Sequence, residues 1–225
     1  MKYFERIAEG IDTSPFLAEL AANSELWDVD ASRQEKIVTQ RETRAITLRS
    51  HANQAALDSR VRRAKPLGYK GRPSEMSARL PVASNFVDQL AKDMNGTLGR
   101  AVMANIRPHG KVYRHTDDGL YWLLRDRYHL VLKSVAGSRL TAGGEQVLMR
   151  AGELWWFDPT VPHEAFNDSD EDRIHIIADV MSPHSMQTFR KRLARSPLKR
   201  CRAFANAAFK GAAWTVRERF HGAGA

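Results

Sequence analysis

The sequence predicts a mainly β protein, a double-sheet jelly roll with helices on its flanks. Between residues 98 and 180, short apolar runs alternate with turn signals at intervals of roughly ten residues, as in all-β sandwiches and barrels. Outside this stretch, apolar residues recur at helical spacing. Eight runs suit a jelly roll: Ala101–Ile106, Val112–His115, His129–Leu132, Arg139–Thr141, Gln146–Met149, Glu153–Asp158, Glu164–Asn167 and Ile174–Val180.

The flanking segments differ from the β region in pattern. Before it we expect one short strand at Ile46–Arg49, a short helix at Asn85–Lys92 and a loop rich in Pro and Gly over 60–80. After it, apolar residues from Met186 to Leu193 share one helical face. The chain is therefore predicted to have three parts: 1–97, helical or irregular and packed on the core; 98–181, the β core; and 182–225, a basic helical extension.

Composition indicates a globular protein of a reducing compartment. Hydrophobic residues make up 43% of the chain, and its single cysteine, Cys201, excludes an internal disulfide framework. The sequence has no apolar run long enough to span a membrane, and its first residues contain no apolar signal core. We therefore expect a cytoplasmic protein without a membrane span.

The net charge of +9 is concentrated in two basic blocks. Met181–Ala225 holds ten Lys or Arg residues against one acidic residue, Glu218, and Arg60–Arg72 holds six basic residues and no acidic one. Such blocks can attract nucleic acid or an acidic partner, or they can be solvated helix faces. Charge alone does not choose between these interpretations.

Three residues have the chemistry of a metal site. His115 and Asp117 are two apart, so on a strand both side chains would point to the same side. His163 follows just after Pro162 and could supply a third ligand. Two histidines and one carboxylate on one face of an octahedron are the arrangement of non-haem Fe(II) oxygenases. The His-x-Asp spacing alone is a weak signal.

Two further pairs place a cation beside an imidazole. Arg127 and His129 are two apart, as are Arg173 and His175, in runs that begin by alternating polar with apolar residues. If one side of these strands lines a cavity, a buried arginine there requires an anionic partner. A carboxylate ligand would fit the guanidinium fork. Alternatively, Arg173 pairs with an acidic residue close to it in sequence.

Together these elements resemble the aspartyl/asparaginyl β-hydroxylase family of Fe(II)- and 2-oxoglutarate-dependent oxygenases. The resemblance runs from Ile106 to Val180, about a third of the chain, and its strength lies in several spaced motifs in one order. These motifs are Arg107–Thr116, Arg127-x-His129-Leu130, Gly152–Asp158, His163-Glu164-Ala165, Arg173 and Asp179-Val180.

The resemblance implies a double-stranded β-helix, the cupin-like form of the jelly roll, that hydroxylates an amino-acid, peptide or protein side chain using Fe(II), 2-oxoglutarate and O2. It implies that His115 and His163 bind the metal, that Arg173 binds the distal carboxylate of 2-oxoglutarate, and that His129 with Arg127 contacts its other end. Animal members of the family have Gly where Asp117 stands, so Asp117 would complete the triad here. A second departure is Ala104, near the position of a family serine.

Two other functions stay open at the level of sequence. The first is a cupin-like metalloenzyme that keeps the metal ligands but gives Arg173 a structural role and does not use 2-oxoglutarate. The second is a non-catalytic module whose basic C-terminal segment binds nucleic acid or an acidic partner. Binding that weakens steeply with salt would identify this second function.

Overall fold

A computed structural model describes residues 1–50 and 70–196 of the chain. Two predictions therefore lie largely outside the described residues. The loop expected over 60–80 is described only from residue 70, and the basic C-terminal extension only to residue 196. Cys201 and most of both basic blocks also fall outside them.

The described residues form eleven strands, five α-helices and three 3-10 helices. The strands are β1 Phe4–Ala8, β2 Thr43–Ser50, β3 Arg72–Pro73, β4 Thr97–Ile106, β5 Lys111–His115, β6 Asp126–Lys133, β7 Ser138–Ala142, β8 Glu145–Val147, β9 Leu154–Phe157, β10 His163–Asn167 and β11 Arg173–Met181. The α-helices are α1 Ser14–Ala21, α2 Ser32–Lys36, α3 Pro81–Asp93, α4 Leu120–Leu123 and α5 Pro183–Arg195. The 3-10 helices cover Ser24–Asp28, Val38–Gln40 and Glu75–Arg79.

The strands form two antiparallel sheets. The major sheet has the order β1-β9-β6-β11-β4-β2-β3, and the minor sheet has the order β5-β10-β7-β8. Each of the eight predicted runs lies in or overlaps one of the strands from β4 to β11. The predicted jelly roll is thus confirmed, and consecutive strands repeatedly cross between sheets, as a double-stranded β-helix requires.

The N-terminal part contributes strands as well as helices. β1 pairs with β9, where Phe4 lies opposite Phe157. β2 contains the predicted strand at Ile46–Arg49 and pairs with β4. Residues 1–97 were expected to be helical or irregular, yet two of their segments extend the major sheet by pairing with strands far along the chain.

Two hydrophobic layers lie on either side of the major sheet. On its outer face, α1 and α3 bury Phe16, Leu20, Val87 and Leu90 against the sheet. On its inner face, apolar residues of both sheets form a second cluster that includes Val131, Phe157, Leu140 and Ala165. Alternation along each strand supplies both layers, since successive side chains point to opposite faces. The inner layer surrounds the candidate site residues predicted from the sequence.

The helix after the β core is fixed by a capping box and by apolar packing. Ser182 accepts a hydrogen bond from the Ser185 backbone, and the Ser185 hydroxyl accepts one from the Ser182 backbone in return. Phe189 packs on Leu123 and Leu124. The helix predicted after residue 183 is therefore present as α5.

None of the helices in the described ranges is both long and apolar enough to cross a lipid bilayer.

Candidate active site

Two adjacent strands of the minor sheet bring the predicted metal ligands together. His115 ends β5 and lies directly opposite His163 at the start of β10, with ring centroids 4.3 Å apart. Asp117 follows β5, and its backbone N–H donates to the Pro159 carbonyl oxygen at 3.1 Å. The candidate ligand atoms of the three side chains all lie within 4.8 Å of one another. The two histidines are cross-strand neighbours, and with Asp117 they converge on a single point, as the sequence predicts.

Backbone carbonyls fix the orientation of both histidines. His115 Nδ1 lies 2.7 Å from the Tyr113 carbonyl oxygen, and His163 Nδ1 lies 2.9 Å from that of Val161. Because a carbonyl can only accept, each Nδ1 must carry the proton. Each Nε2 therefore has a free lone pair, which is the form of imidazole that binds a metal.

The carboxylate of Asp117 is held at one oxygen and open at the other. Arg127 Nη1 donates to Asp117 Oδ2 at 2.6 Å, while Asp117 Oδ1 lies 3.6 Å from His115 Nε2. Burial opposes ionisation of this carboxyl, but Arg127, His163 and His115 outweigh it and lower the pKa of Asp117. Asp117 therefore presents an ionised oxygen toward the two histidines.

Burial also keeps His163 neutral. The side chain is buried, and this lowers the pKa of His163 to about 4, although the charge of Asp117 acts in the opposite direction. At neutral pH the lone pair of Nε2 is therefore available. Two imidazoles and one carboxylate make a donor set that fits a divalent transition metal with open positions left over.

Arg127 also binds a second carboxylate, that of Asp179. Arg127 Nε donates to Asp179 Oδ1 at 2.9 Å, and the face of Trp122 lies 4.5 Å from the Arg127 guanidinium carbon. Asp179 sits at a β-bulge, where Gly99 and Arg100 of β4 oppose this single residue of β11. The structure thus places Arg127 between two carboxylates, a contact that its predicted role beside the cosubstrate did not include.

The space between the sheets continues from the metal ligands into a cavity. His115 and His163 line one part of its wall, and Arg173, His175 and Ile177 line another. Because β11 alternates, its residues at 173, 175 and 177 face the cavity, while those at 174, 176 and 178 enter the outer core. The remaining wall is largely apolar and includes Ile106, Val112, Leu140, Phe157 and Ala165.

Arg173 is buried in this wall without an anion beside it. Its exposure is 6%, and no ion pair or side-chain hydrogen bond of Arg173 occurs within residues 1–50 and 70–196. Two of the neighbouring acids have other partners: Asp170 contacts His109 at 3.0 Å, and Glu171 contacts Lys133 at 2.9 Å. Burial alone lowers the pKa of Arg173 to about 10, so the guanidinium remains charged at neutral pH.

His129 and His175 face each other beside Arg173. Their Nδ1 atoms lie 3.2 Å apart, and in the described part of the chain neither Nε2 has a hydrogen-bond partner. Ala104 also lines the cavity. Asn105, the next residue of β4, alternates to the opposite face and is fully buried there, away from the cavity.

Several contributors to the site carry no usable sequence signal. The Tyr113 and Val161 carbonyls act through the backbone, which any residue provides. Asp179 belongs to a motif already noted, but only its cross-strand pairing with Arg127 reveals what it contacts. Trp122 comes from the short helix α4, which no periodic pattern predicts.

The two facing sheets and the His-Asp-His group between them define a double-stranded β-helix protein with a candidate facial-triad metal centre. Comparison with known families matches residues 33–183 to the family described as Aspartyl/Asparaginyl beta-hydroxylase. This match covers about two thirds of the chain, and the chain belongs to that family. No curated protein matches it.

Similar solved structures are distant. A prolyl-4-hydroxylase from Pseudomonas putida is 17% identical, with 80% of this chain and 92% of that chain covered and a TM-score of 0.44. An oxidoreductase of the 2OG-Fe(II) oxygenase family from Burkholderia pseudomallei is 11% identical, with coverages of 73% and 79% and a TM-score of 0.46. A viral collagen prolyl hydroxylase from Paramecium bursaria Chlorella virus-1 is 11% identical, with coverages of 80% and 96% and a TM-score of 0.44. The fold assignment therefore rests on this chain's own strand order.

Proposed function

We propose that this protein is an Fe(II)- and 2-oxoglutarate-dependent dioxygenase that hydroxylates an amino-acid, peptide or protein side chain. The observation that carries the proposal is Arg173, a buried cation with no anionic partner in the described chain. It lines the same cavity as the metal ligands His115 and His163.

An unpaired buried charge is costly, and a ligand carboxylate removes that cost. The guanidinium fork binds a carboxylate through two parallel hydrogen bonds. A ligand that reaches Arg173 with one carboxylate and the metal with a keto acid must be a short dianion. 2-Oxoglutarate has this chemistry, whereas a monocarboxylate would leave Arg173 unpaired.

Each predicted site residue has a role in this proposal. His115, Asp117 and His163 hold the metal, Arg173 binds the distal carboxylate of 2-oxoglutarate, and His129 contacts its other end. Arg127 is expected to contact that same end of 2-oxoglutarate, beside His129.

The bound metal and cosubstrate, together with O2, would supply the oxidation of an unactivated C–H bond. The chain's own part is orientation and exclusion of water. Leu140 and Phe157 give the cavity an apolar wall, which strengthens charged contacts within it.

The substrate class rests on family membership, since the family is described by hydroxylation of aspartyl and asparaginyl groups. A side chain of an amino acid, peptide or protein is the coarsest class that this supports. Binding of an acidic partner or nucleic acid by the basic C-terminal segment remains a separate prediction, because most of that segment lies outside the described residues.

A pair of ligands tests the proposal at Arg173. 2-Oxopentanoate has the chain length of 2-oxoglutarate but ends in a methyl group in place of the distal carboxylate. In calorimetry with Mn(II)-loaded protein, the wild type should bind 2-oxoglutarate on the order of 100-fold more tightly than 2-oxopentanoate, as expected for a buried Arg–carboxylate pair. Arg173→Met should remove this preference.

Arg139→Met is the matched control. Arg139 lies on β7 of the minor sheet, is more exposed than Arg173 and is paired with Asp168. It should retain the full preference for the dianion. If the wild type binds the metal but does not discriminate between the two ligands, the 2-oxoglutarate role fails. The cupin-like metalloenzyme without 2-oxoglutarate would then be the better description.

A further inference from the structure

The end of α5 contacts two loops that carry or support the candidate metal ligands. Arg195 Nη2 donates to Asp158 Oδ2 at 2.5 Å, and the hydroxyl of Ser196 donates to Asp118 Oδ1 at 2.9 Å. Asp158 begins the loop between β9 and β10, and Asp118 directly follows the candidate ligand Asp117. The helix that follows the β core therefore reaches both loops beside the site.

The loop between β9 and β10, residues 158–162, supports two of the three candidate ligands. Its Pro159 carbonyl oxygen accepts from the Asp117 backbone N–H at 3.1 Å, and its Val161 carbonyl oxygen lies 2.9 Å from His163 Nδ1. Because Asp117 lies beyond the end of β5, the bond to Pro159 takes the place of a strand ladder in fixing its backbone. The position of this loop therefore sets the position of Asp117 and the orientation of His163.

The carboxylate of Asp158 joins this loop to α5. Asp158 is 5% exposed, and its Oδ1 accepts from the backbone N–H of Thr160 at 3.1 Å and from the Thr160 hydroxyl at 2.7 Å. This Asx turn fixes the internal shape of the loop, whereas contacts from outside fix where the loop lies. Two arginines of α5 supply such contacts, Arg195 at 2.5 Å and Arg192 at 3.5 Å. Arg195 makes the shorter of the two.

A metal centre is sensitive to small displacements of its ligands. Productive geometry requires ligands to be held within about 0.5 Å, and residues that orient a ligand are worth roughly 10- to 100-fold in metal affinity. A contact that fixes the loop acts on Asp117 and His163 together. Arg195 and Ser196 do not line the cavity that contains Arg173, so any effect they have on metal binding runs through the loops.

We propose that Arg195 and Ser196 are positioning residues of the candidate metal centre. Arg195 holds the loop of residues 158–162, and Ser196 holds Asp118, so that Asp117 and His163 stay where both can bind one metal. The inference deepens the proposed function and rests on it in one respect, namely that these side chains are metal ligands. It makes the end of α5 a functional part of the site.

The first test compares three variants of α5. Arg195→Met removes the contact with Asp158, and Arg195→Lys keeps a cation that can replace the single Nη2 donor. Lys191→Met, at an exposed lysine one turn earlier, is the matched control because it removes the same charge from the same helix. In competition titrations, Co(II) affinity should fall about tenfold in Arg195→Met but by about threefold or less in Arg195→Lys. Lys191→Met should bind Co(II) like the wild type.

Ser196→Ala tests the second contact independently. It removes the hydroxyl that donates to Asp118, and Co(II) affinity should fall about threefold, as expected for one hydrogen bond. Wild-type affinity in both Arg195→Met and Ser196→Ala would overturn the inference. An equal fall in Arg195→Met and Lys191→Met would also overturn it, because charge alone would then account for the effect.

The second test needs no metal. Amide hydrogen exchange of the metal-free protein reports on the Asp117 N–H, and in Arg195→Met this N–H should exchange about tenfold faster than in the wild type. The Val131 N–H, bonded to the Glu153 carbonyl oxygen at 3.0 Å, should keep its wild-type rate. An unchanged rate at Asp117 would overturn the inference. Equal acceleration at both amides would also overturn it, because that indicates a general loss of stability.

Failure of this inference can be distinguished from failure of the proposed function. A wild type that binds Co(II) but not 2-oxoglutarate would contradict the proposed function and leave the positioning role of Arg195 intact. A wild type that binds both, with unchanged Co(II) affinity and Asp117 exchange in Arg195→Met, would contradict the positioning role alone. A wild type that binds no metal would contradict both.

Discussion

At the scale of single residues, the candidate metal centre depends on hydrogen bonds that fix each ligand before a metal arrives. The two histidines are held by backbone carbonyls, and Asp117 is held by Arg127. Arg127 is in turn fixed by Asp179. Asp117 therefore has one oxygen committed to Arg127 and one that faces the histidines, which suits a ligand that binds through a single oxygen.

Shortening Arg127 should loosen the metal site without removing a ligand. Arg127→Lys keeps the positive charge, but its single nitrogen cannot occupy both the Nε position that bonds Asp179 and the Nη1 position that bonds Asp117. We expect Co(II) affinity, measured by competition titration, to fall by roughly tenfold or more, as for other partners that orient a ligand. Arg114→Lys, at a largely exposed arginine of β5 that pairs with Glu164, is the control and should bind Co(II) like the wild type. An unchanged affinity in folded Arg127→Lys protein would show that Asp117 does not need this contact.

The sequence supplied six candidate site residues but not all of their contacts. The spacing of His115 and Asp117 is local, but Asp117 lies beyond the end of β5, so strand alternation alone does not place it beside His115. Its backbone is held instead by the hydrogen bond to the Pro159 carbonyl oxygen. Whether Arg173 pairs with a neighbouring acid depends on where Asp170 and Glu171 point, and their partners His109 and Lys133 come from other segments. Sequence reasoning therefore left this alternative open, and the structure shows no such pair among the described residues.

At the scale of elements, α5 is attached to the β core through one buried aspartate. Asp126 at the start of β6 is fully buried and accepts from Arg192, Ser182 and His184 of the α5 region and from Trp156 of β9. The helical pattern alone places Arg192 among the basic residues around the helix. It is instead 1% exposed, because it reaches inward to Asp126 and to the Arg125 carbonyl oxygen.

Removing the charge of Asp126 should weaken the attachment of α5 to the β core. Asp126→Asn leaves the buried Arg192 cation without its closest carboxylate, at 2.7 Å. We expect the free energy of unfolding, measured in urea, to fall by about 3 kcal/mol. Asp93→Asn, at an exposed aspartate bonded to Gln89, should change it by about 0.5 kcal/mol or less. A similar small loss in both variants would contradict the anchoring role.

The same aspartate makes stability depend on pH through His184. The hydrogen bond that His184 donates to Asp126 raises the pKa of His184, so the folded state favours the protonated imidazole. The resulting stabilisation is fully present below about pH 6.5 and is lost as pH rises through the raised folded pKa. Urea unfolding from about pH 6 to about pH 8 should therefore show a larger loss of stability in the wild type than in His184→Gln. Parallel curves for the two proteins would contradict this linkage.

The elements that the sequence missed are those defined by distant pairing. β1 is an edge strand whose central residues, Glu5 and Arg6, are exposed, so it lacks an apolar pattern. β3 has two residues and exists only through its pairing with β2. The strands from β4 to β11 were predictable because short apolar runs alternate there with turns, and this pattern is local.

At the scale of the whole molecule, the described N-terminal residues and the β core share one sheet. β1 and β2 lie at opposite ends of the core strands of the major sheet, and α1 and α3 cover its outer face. The division into three parts remains a prediction about sequence. In the structure, the described residues of the first part, 1–50 and 70–97, pack their apolar side chains into the same core as the β strands.

This shared core predicts a single unfolding transition. Trp27 belongs to the N-terminal part and Trp156 to β9, and both are buried in the same apolar cluster. Urea unfolding followed by tryptophan fluorescence and by far-ultraviolet circular dichroism should give coincident curves. The comparison of wild type with Trp27→Phe tests the N-terminal part specifically. A separate early transition that disappears in Trp27→Phe would indicate that residues 1–97 unfold on their own.

The central claim is that His115, Asp117 and His163 hold a metal whose open positions receive 2-oxoglutarate anchored at Arg173. The most direct measurement adds Fe(II) and 2-oxoglutarate to the protein without oxygen and records the visible metal-to-ligand charge-transfer band. We predict a band in the wild type that is absent in His115→Ala and weakened in Arg173→Ala. Iron bound to the wild type with no band after addition of 2-oxoglutarate would contradict the claim.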